Sequence, residues 1–277
     1  MNITNSHNLQ ASSFNSVIAL HCAGGSPGQW EELGFRLDSS YWLHTPSHIG
    51  SEANNAWDNK RPFTLADEAV QSLRLIDKTD AAIHLVGHSY GGALALHIAL
   101  ARPHRIASVT IYEPCAFHLL AQSGSASASE NWEIQKLSRY IAERLSCGDN
   151  TAAMSRFVDY WSGPGVWEAL KPEKQEVLKR WAPTANLEFE AIINEKADAD
   201  MCRKLTMPIK ILQGTQSPTP VKAVASSLEN LLPHCTVEQL TDLGHMGPIT
   251  HGSYVAGLIA DHIHARRSHK LSESQAA

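Results

Sequence analysis

The chain has 277 residues, a formal net charge of −5 and 18% charged side chains, which is an ordinary composition for a globular protein. It has no run of lysine and arginine and no apolar stretch of membrane-spanning length, so we expect neither a nucleic-acid nor a membrane partner. Residues 1–7 are polar and lack the features of a secretory signal, which predicts a cytoplasmic location.

Apolar runs and helical periodicities alternate in the first part of the chain. Four apolar runs predict strands, at residues 17–21, 42–45, 82–86 and 106–112. A helix is predicted to begin after Thr64, because residues 64–67 resemble a capping box. A second helix is predicted over residues 92–100, directly after the third strand.

The pattern changes over residues 115–205, which contain no strand-like run. Helical segments are predicted around residues 130–146, 150–161, 165–180 and 185–200. The segment holds four of the seven tryptophans, Trp132, Trp161, Trp167 and Trp181. Each of these side chains either packs between helices or lines an apolar pocket. We therefore predict a helical lid at 115–205, inserted into a core formed by residues 1–114 and 206–277.

Strand and helix signals alternate again after the predicted lid. Strands are predicted at residues 209–213 and 236–240, and helices at residues 218–232 and 251–266. This alternation predicts an α/β fold with a mostly parallel sheet and helices on both faces.

Ser89 is the candidate nucleophile. It is the centre of Gly87-His88-Ser89-Tyr90-Gly91, which lies between a predicted strand and a predicted helix, the layout of a nucleophile elbow. A second match, Gly24-Gly25-Ser26-Pro27-Gly28, also follows an apolar run. In an elbow the residue after the serine donates its backbone N–H to the oxyanion, and Pro27 has no N–H. Ser26 is therefore the weaker candidate.

His245 is the candidate base. A serine hydroxyl needs a base within hydrogen-bond reach, and in this layout a histidine follows an acid late in the chain. His245 lies between Gly244 and Met246, just after the last predicted strand. His251 is the rival but is predicted to start the final helix, and we expect His88 to point away from the nucleophile.

Two carboxylates compete for the acid that would orient this histidine. The loop after the penultimate strand, residues 213–218, is the commonest location for the acid but contains no carboxylate. Glu113 ends the strand that follows the elbow helix, at the sheet edge where ligands bind in parallel sheets. We therefore predict Glu113 as the acid, with Asp242, three residues before His245, as the alternative.

The predicted oxyanion hole takes one N–H from Tyr90 and one from the loop after the first strand. Ala23 is the predicted second donor, and Cys22 and Gly24 are the alternatives. The five cysteines are widely spaced, and His262, His264 and His269 have no ligand partners at metal spacing, so no metal and no cofactor is predicted.

These motifs resemble those of the α/β-hydrolase superfamily. The resemblance rests on residues 21–26 with Trp30, on residues 87–92, and on Gly244-His245. More narrowly, the chain is similar to lid-bearing bacterial serine hydrolases that have Tyr-Glu-Pro after the elbow helix and Ser-Pro in place of the usual Asp. The resemblance implies Ser89 as nucleophile, His245 as base and Glu113 as acid. It also implies one or two early antiparallel strands, although the short stretch before Val17 leaves little room for them.

The predicted activity is cofactor-independent hydrolysis of a small apolar carboxylic ester through an acyl-enzyme on Ser89. A carbon–carbon bond hydrolase, a thioesterase, a lactonase or a cofactor-free lyase on the same triad is the first alternative. A ligand-binding protein on an inactive hydrolase fold is the second, because fold alone does not decide function. No oligomeric state is predicted.

Overall fold

A computed structural model describes residues 15–51 and 56–275 of the chain. Within these residues six strands form one sheet: β1 (Asn15–Leu20), β2 (Tyr41–His44), β3 (Ile83–His88), β4 (Ile106–Tyr112), β5 (Ile209–Gly214) and β6 (Cys235–Leu240). Their order is β2-β1-β3-β4-β5-β6, and all neighbouring pairs are parallel. The expectation about early antiparallel strands falls on residues before 15, which lie outside the described residues.

Helices cover both faces of this sheet. They are α1 (Glu31–Arg36), α2 (Leu65–Asp77), α3 (Tyr90–Ala101), α10 (Thr219–Leu231), α11 (Gly247–Thr250) and α12 (Gly252–Gln275). Alternate strand residues face opposite sides: Ile18 and Leu20 join the apolar core that contains α2, α3 and α10. Val17 and Ala19 join the core that contains α1 and α12. The predicted mostly parallel sheet with two covered faces is confirmed.

Six further helices connect β4 to β5. They are α4 (His118–Gln122), α5 (Ala128–Ser146), α6 (Asn150–Ser162), α7 (Val166–Ala169), α8 (Pro172–Ile193) and α9 (Ala199–Cys202). We refer to α4–α9 as the inserted helices. All residues from 115 to 205 are described in their backbone, and none of them is in a strand.

The prediction of two separate helices at 165–180 and 185–200 is wrong, because α8 runs continuously through Pro183. Proline has no N–H to donate to the carbonyl four residues earlier, which is that of Lys179. Asn150 Nδ2 donates a hydrogen bond of 3.0 Å to the Lys179 carbonyl instead. The replacement donor comes from α6, so the helix continues past the proline.

From β1 the chain adds β2 on one side of the sheet and then β3 on the other side of β1. The direction in which strands are added therefore changes between β1 and β3. In open α/β sheets ligands bind outside the carboxyl ends of the strands at such a switch point. The loop after β1 begins at this position, and so does the turn after β3 that contains Ser89. In the described parts of the chain, none of the helices combines the length and the apolar content that a bilayer crossing requires.

Candidate active site

Ser89 lies in a strained turn between β3 and α3. Its backbone angles are φ 58° and ψ −116°, an uncommon conformation for a residue with a side chain. A Cβ on Gly87 would lie 2.4 Å from the Gly91 carbonyl oxygen, and a Cβ on Gly91 would lie 2.3 Å from that of Leu20. Both glycines are therefore required for the close approach of backbone that presents the Ser89 hydroxyl.

The imidazole of His245 lies next to this hydroxyl. Ser89 Oγ is 2.9 Å from His245 Nε2, although the two residues are 156 positions apart in the chain. His245 follows β6 in the loop that leads into α11 and is 2% exposed. The rival His251 is exposed, and its Nδ1 lies 2.9 Å from the hydroxyl of its neighbour Thr250.

Glu113 lies on the other side of the same imidazole. The Nδ1–H of His245 donates to Glu113 Oε2 at 2.7 Å, and Glu113 is fully buried. Its Oε1 accepts two hydrogen bonds, at 2.6 Å from the N–H of Gly214, the last residue of β5, and at 2.5 Å from Ser217 Oγ in the loop that follows. Asp242, the alternative acid, is exposed, and its carboxylate lies 3.5 Å from the Gln216 amide instead.

The buried His88 side chain holds the loop of His245 through a hydrogen bond to its backbone. Its Nε2–H donates to the His245 carbonyl at 2.8 Å, and its Nδ1 accepts from the Gln29 amide at 3.2 Å. Gln29 in turn accepts the Cys22 N–H at 3.1 Å. Burial, together with the nearby His245, holds the pKa of His88 well below its usual value, so His88 is neutral and suited to these two bonds. The loops after β1 and β6 are thereby linked.

Tyr90 and Ala23, the two residues predicted to donate to the oxyanion, line one cavity together with Ser89. Tyr90 is the first residue of α3, so its N–H is one of those that have no partner within the helix. Ala23 belongs to the loop after β1 and lines a cavity together with Ser89 and Tyr90. The Tyr90 hydroxyl donates to Glu68 Oε2 at 3.2 Å.

Two side chains that we did not predict as site residues contact the nucleophile and the base. The Cys115 Sγ lies 3.2 Å from Ser89 Oγ, and burial raises the pKa of its thiol, which keeps it protonated. The indole of Trp161 packs on the His245 ring, with ring centroids 4.4 Å apart and planes at 35°. Of the four tryptophans in the predicted lid, Trp161 and Trp181 line the cavity at Ser89, whereas Trp132 is exposed.

A cavity of about 1040 Å³ opens on the Ser89 and His245 side chains. Its walls come from the loop after β1 and from the inserted helices α6 and α8. Phe157, Trp161, Leu178 and Trp181 supply apolar surface there. Ligand sites are commonly cavities of this size and character. Among the described residues, no group of three or more His, Cys, Asp or Glu side chains is arranged to hold a metal ion.

Two carboxyl groups are buried on α2 and α8, and the second of them lines this cavity. Glu68 on α2 accepts the Ile49 N–H at 2.9 Å, and burial raises its pKa to about 7. Glu188 on α8 is 3% exposed, and burial raises its pKa well above the usual value. No motif in the sequence marked either residue, because a single glutamate in a helix is usually solvent-exposed.

The comparison with protein families decides the membership of this chain. A family model described as the alpha/beta hydrolase fold matches residues 15–252. The chain belongs to the α/β-hydrolase family. It is similar to the pimeloyl-[acyl-carrier protein] methyl ester esterase of Vibrio parahaemolyticus, with 29% identity over 245 residues that cover 83% of this chain and 88% of that protein. The protein of the same description from Aromatoleum aromaticum is 24% identical over 265 residues, covering 88% of this chain and 96% of the relative.

Solved structures of other proteins have the same fold. MGS-M2, an alpha/beta hydrolase from a Medee basin deep-sea metagenome library, superposes with a TM-score of 0.73 at 13% identity, covering 93% of this chain and 90% of that chain. MenH from S. aureus superposes with a TM-score of 0.69 at 15% identity, covering 92% of this chain and 95% of that chain. The predicted membership and fold are confirmed, and hydrolysis is confirmed as the class of reaction of the family.

Proposed function

We propose that this α/β-hydrolase family member is a serine esterase that cleaves a small carboxylic ester, with Ser89 as nucleophile, His245 as base and Glu113 as acid. One observation carries the proposal: the continuous path from Ser89 Oγ through both nitrogens of His245 to the Glu113 carboxylate, with steps of 2.9 and 2.7 Å. This geometry meets the hydrogen-bond requirement for a serine activated by an oriented base.

In the first half of the reaction, Ser89 Oγ attacks the ester carbonyl carbon and its proton passes to His245 Nε2. The carbonyl oxygen becomes an oxyanion, which accepts hydrogen bonds from the N–H groups of Tyr90 and Ala23. The carbon–oxygen bond to the alcohol then breaks, and the alcohol leaves with the proton from His245. Glu113 stabilises the transient positive charge on the imidazole without taking its proton.

In the second half, water attacks the acyl group on Ser89. His245 Nε2 takes a proton from the water and returns it to Ser89 Oγ as the acyl–oxygen bond breaks, which releases the acid. The inserted helices α4–α9 serve as the lid of this site, since α6 and α8 contribute the aromatic and apolar walls of the cavity over Ser89. The substrate is an ester with apolar surface.

The experiment that tests the proposal combines turnover with labelling. Wild-type protein is expected to hydrolyse a short-chain nitrophenyl ester, and Ser89→Ala is expected to lose at least about 10³-fold in kcat. A fluorophosphonate probe is expected to add its mass to Ser89 in the wild type and in Ser26→Ala, but not in Ser89→Ala. Equal turnover by wild type and Ser89→Ala would refute the proposal and favour a ligand-binding role.

Ester hydrolysis is favoured over the other reactions of this triad by the relatives. The two relatives described above are named as methyl ester esterases. A panel of methyl esters, thioesters and lactones is expected to show the highest kcat/KM for an ester. A higher kcat/KM for a thioester or a lactone would reassign the reaction and leave the triad in place.

A further inference from the structure

Glu188 is a buried carboxyl group in the wall of the candidate active site. It lies on α8, is 3% exposed, and its Oε2 has no hydrogen-bond partner in the described part of the chain. Buried polar atoms in native structures almost always have a partner, so an unpartnered one calls for an explanation. Because Glu188 faces the cavity that holds Ser89, a bound substrate is a candidate partner.

Glu188 lines two cavities that share Ser89 in their walls. One is the large cavity with Ser89 and His245, and the other is a side cavity of about 20 Å³ whose lining includes Ser89 and Tyr90, with room for a small group only. Apart from these polar residues, the side cavity is lined by apolar and aromatic side chains and by the Cys115 thiol. Glu188 is therefore the only carboxyl group among the described residues that line the side cavity.

The protonation state of Glu188 determines what it can bind. Burial is the main cause that raises its pKa, and the charge of Glu68 adds to the effect. Among the described residues no ion pair involves Glu188, and no described cation acts on its pKa. A carboxyl group in these surroundings stays protonated and has one O–H to donate.

The position of His245 indicates which part of an ester meets Glu188. The leaving alcohol takes its proton from His245, so it must lie on the His245 side of Ser89. His245 lines the large cavity but not the side cavity, whereas Tyr90, the proposed oxyanion donor, lines the side cavity. The acyl group accordingly lies on the side of Ser89 away from His245, where Glu188 is in the wall of both cavities.

We propose that Glu188 donates a hydrogen bond to a neutral oxygen on a short acyl chain, which makes esters of oxo acids or hydroxy acids the preferred substrates. The inference rests on the proposed esterase function and adds the substrate class. An apolar acyl chain of the same shape would leave the Glu188 O–H unpartnered, and sites with buried polar groups discriminate strongly against ligands that leave them so.

The test compares two nitrophenyl esters of similar shape, the 4-oxopentanoate and the 4-methylpentanoate. The measured quantity is the ratio of their kcat/KM values, since a general loss of activity cancels in a ratio. Wild type is expected to favour the oxo ester, and Glu188→Leu is expected to lower the ratio about tenfold. Glu188→Gln retains an N–H donor and is expected to keep the ratio within about threefold of wild type. Glu190→Gln, an exposed carboxylate on the same helix, is the matched control.

Two outcomes of the kinetic test would overturn the inference. One is a ratio that is the same in wild type and Glu188→Leu. The other is a preference for the 4-(trimethylammonio)butanoate ester that Glu188→Gln abolishes, because that result would identify an ionised Glu188 that binds cations. In both cases hydrolysis of the esters still supports the esterase proposal, so the two proposals fail separately.

A binding measurement tests Glu188 without turnover. The Ser89→Ala variant is expected to show an infrared carbonyl band of a protonated carboxyl group that is missing when Glu188→Gln is added. Methyl 4-oxopentanoate at saturating concentration is expected to shift this band, whereas methyl 4-methylpentanoate is not. A band that is absent, or that both esters leave in place, would overturn the inference even if the wild-type protein hydrolysed no ester at all.

Discussion

Ser217 Oγ donates a hydrogen bond of 2.5 Å to Oε1 of Glu113, the carboxylate whose other oxygen accepts the Nδ1–H of His245. Ser217 lies in the loop after β5, the commonest position of the acid, where this chain has no carboxylate. Instead, the Ser217 hydroxyl and the N–H of Gly214, the last residue of β5, donate to a carboxylate that follows the neighbouring strand.

Removing the Ser217 hydroxyl is expected to impair catalysis without removing a triad member. Ser217→Ala leaves Glu113 Oε1 with the Gly214 N–H alone, and a hydrogen bond to a charged group contributes about 1.5–3 kcal/mol. We expect kcat on a nitrophenyl ester to fall about tenfold with KM little changed. Gln216→Ala, an exposed neighbour, is the control. Unchanged kcat in Ser217→Ala would show that the hydroxyl does not support Glu113.

The identity of the acid can be tested with two isosteric substitutions. Glu113→Gln is expected to lower kcat about 10³-fold or more, because an amide cannot stabilise the imidazolium and holds the wrong tautomer of His245. Asp242→Asn is expected to stay within about twofold of wild type, since this side chain is exposed and away from the imidazole. Loss of turnover in Asp242→Asn with activity retained in Glu113→Gln would reverse the assignment.

Glu68 is expected to make the stability of the protein depend on pH. Its folded pKa of about 7 lies above the usual value because of burial, so the folded state holds a proton that the unfolded chain has already lost between about pH 4.5 and pH 7. The free energy of unfolding therefore falls as pH rises through this window, by up to about 3 kcal/mol from this group, and levels off above it.

Glu68→Gln isolates this contribution, because the amide can still accept the Ile49 N–H and bond to the Tyr90 hydroxyl. Relative to wild type, the variant is expected to gain stability from about pH 5 to about pH 7, with the gain levelling off by pH 8. Urea unfolding at several pH values in this range measures the difference. A difference between the two proteins that does not change with pH would show that Glu68 does not titrate as inferred.

Trp161 is expected to matter for both stability and catalysis. Its indole is 7% exposed and packs on the His245 ring, so Trp161→Ala removes a buried aromatic group and leaves the imidazole room to turn. We expect a loss of about 3 kcal/mol in the free energy of unfolding and about tenfold in kcat. Trp161→Phe is expected to recover most of both losses.

The matched control for Trp161 is Trp132→Ala on α5, because Trp132 is 58% exposed. This variant is expected to stay within about 0.5 kcal/mol of wild type in stability and to keep its kcat. Equal effects of the two substitutions would argue against a specific role for the contact between Trp161 and His245.

The sequence predicted the six strands and the family because those features are local. Strand and helix periods, the elbow glycines and the position of His245 are each readable within a few residues. The prediction of separate helices at 165–180 and 185–200 was wrong, since α8 continues through Pro183 with the help of a donor, Asn150, that lies on another helix. A proline disrupts a helix only where its lost hydrogen bond is not replaced.

The residues that surround the candidate triad could not be predicted from the sequence either, because their contacts are with residues far away in the chain. Ser217 and Glu113 are 104 positions apart, so their hydrogen bond depends on the pairing of β4 with β5. Glu188 and Trp161 belong to helices with ordinary patterns, and only the packing of the inserted helices on the sheet brings them to Ser89. Sequence patterns report which face of a helix is apolar but not which distant residue meets it.

The attachment of the inserted helices has a consequence for protein engineering. Glu113 has a left-handed φ of 47°, and two residues later the Cys115 N–H donates to the Ser89 carbonyl at 3.1 Å. A chimera that exchanges these helices for those of a relative, to change substrate range, should therefore keep residues 113–115 of this chain. A junction placed earlier would disturb the backbone that aims the carboxylate at its histidine, so a graft intended to alter selectivity would abolish turnover instead.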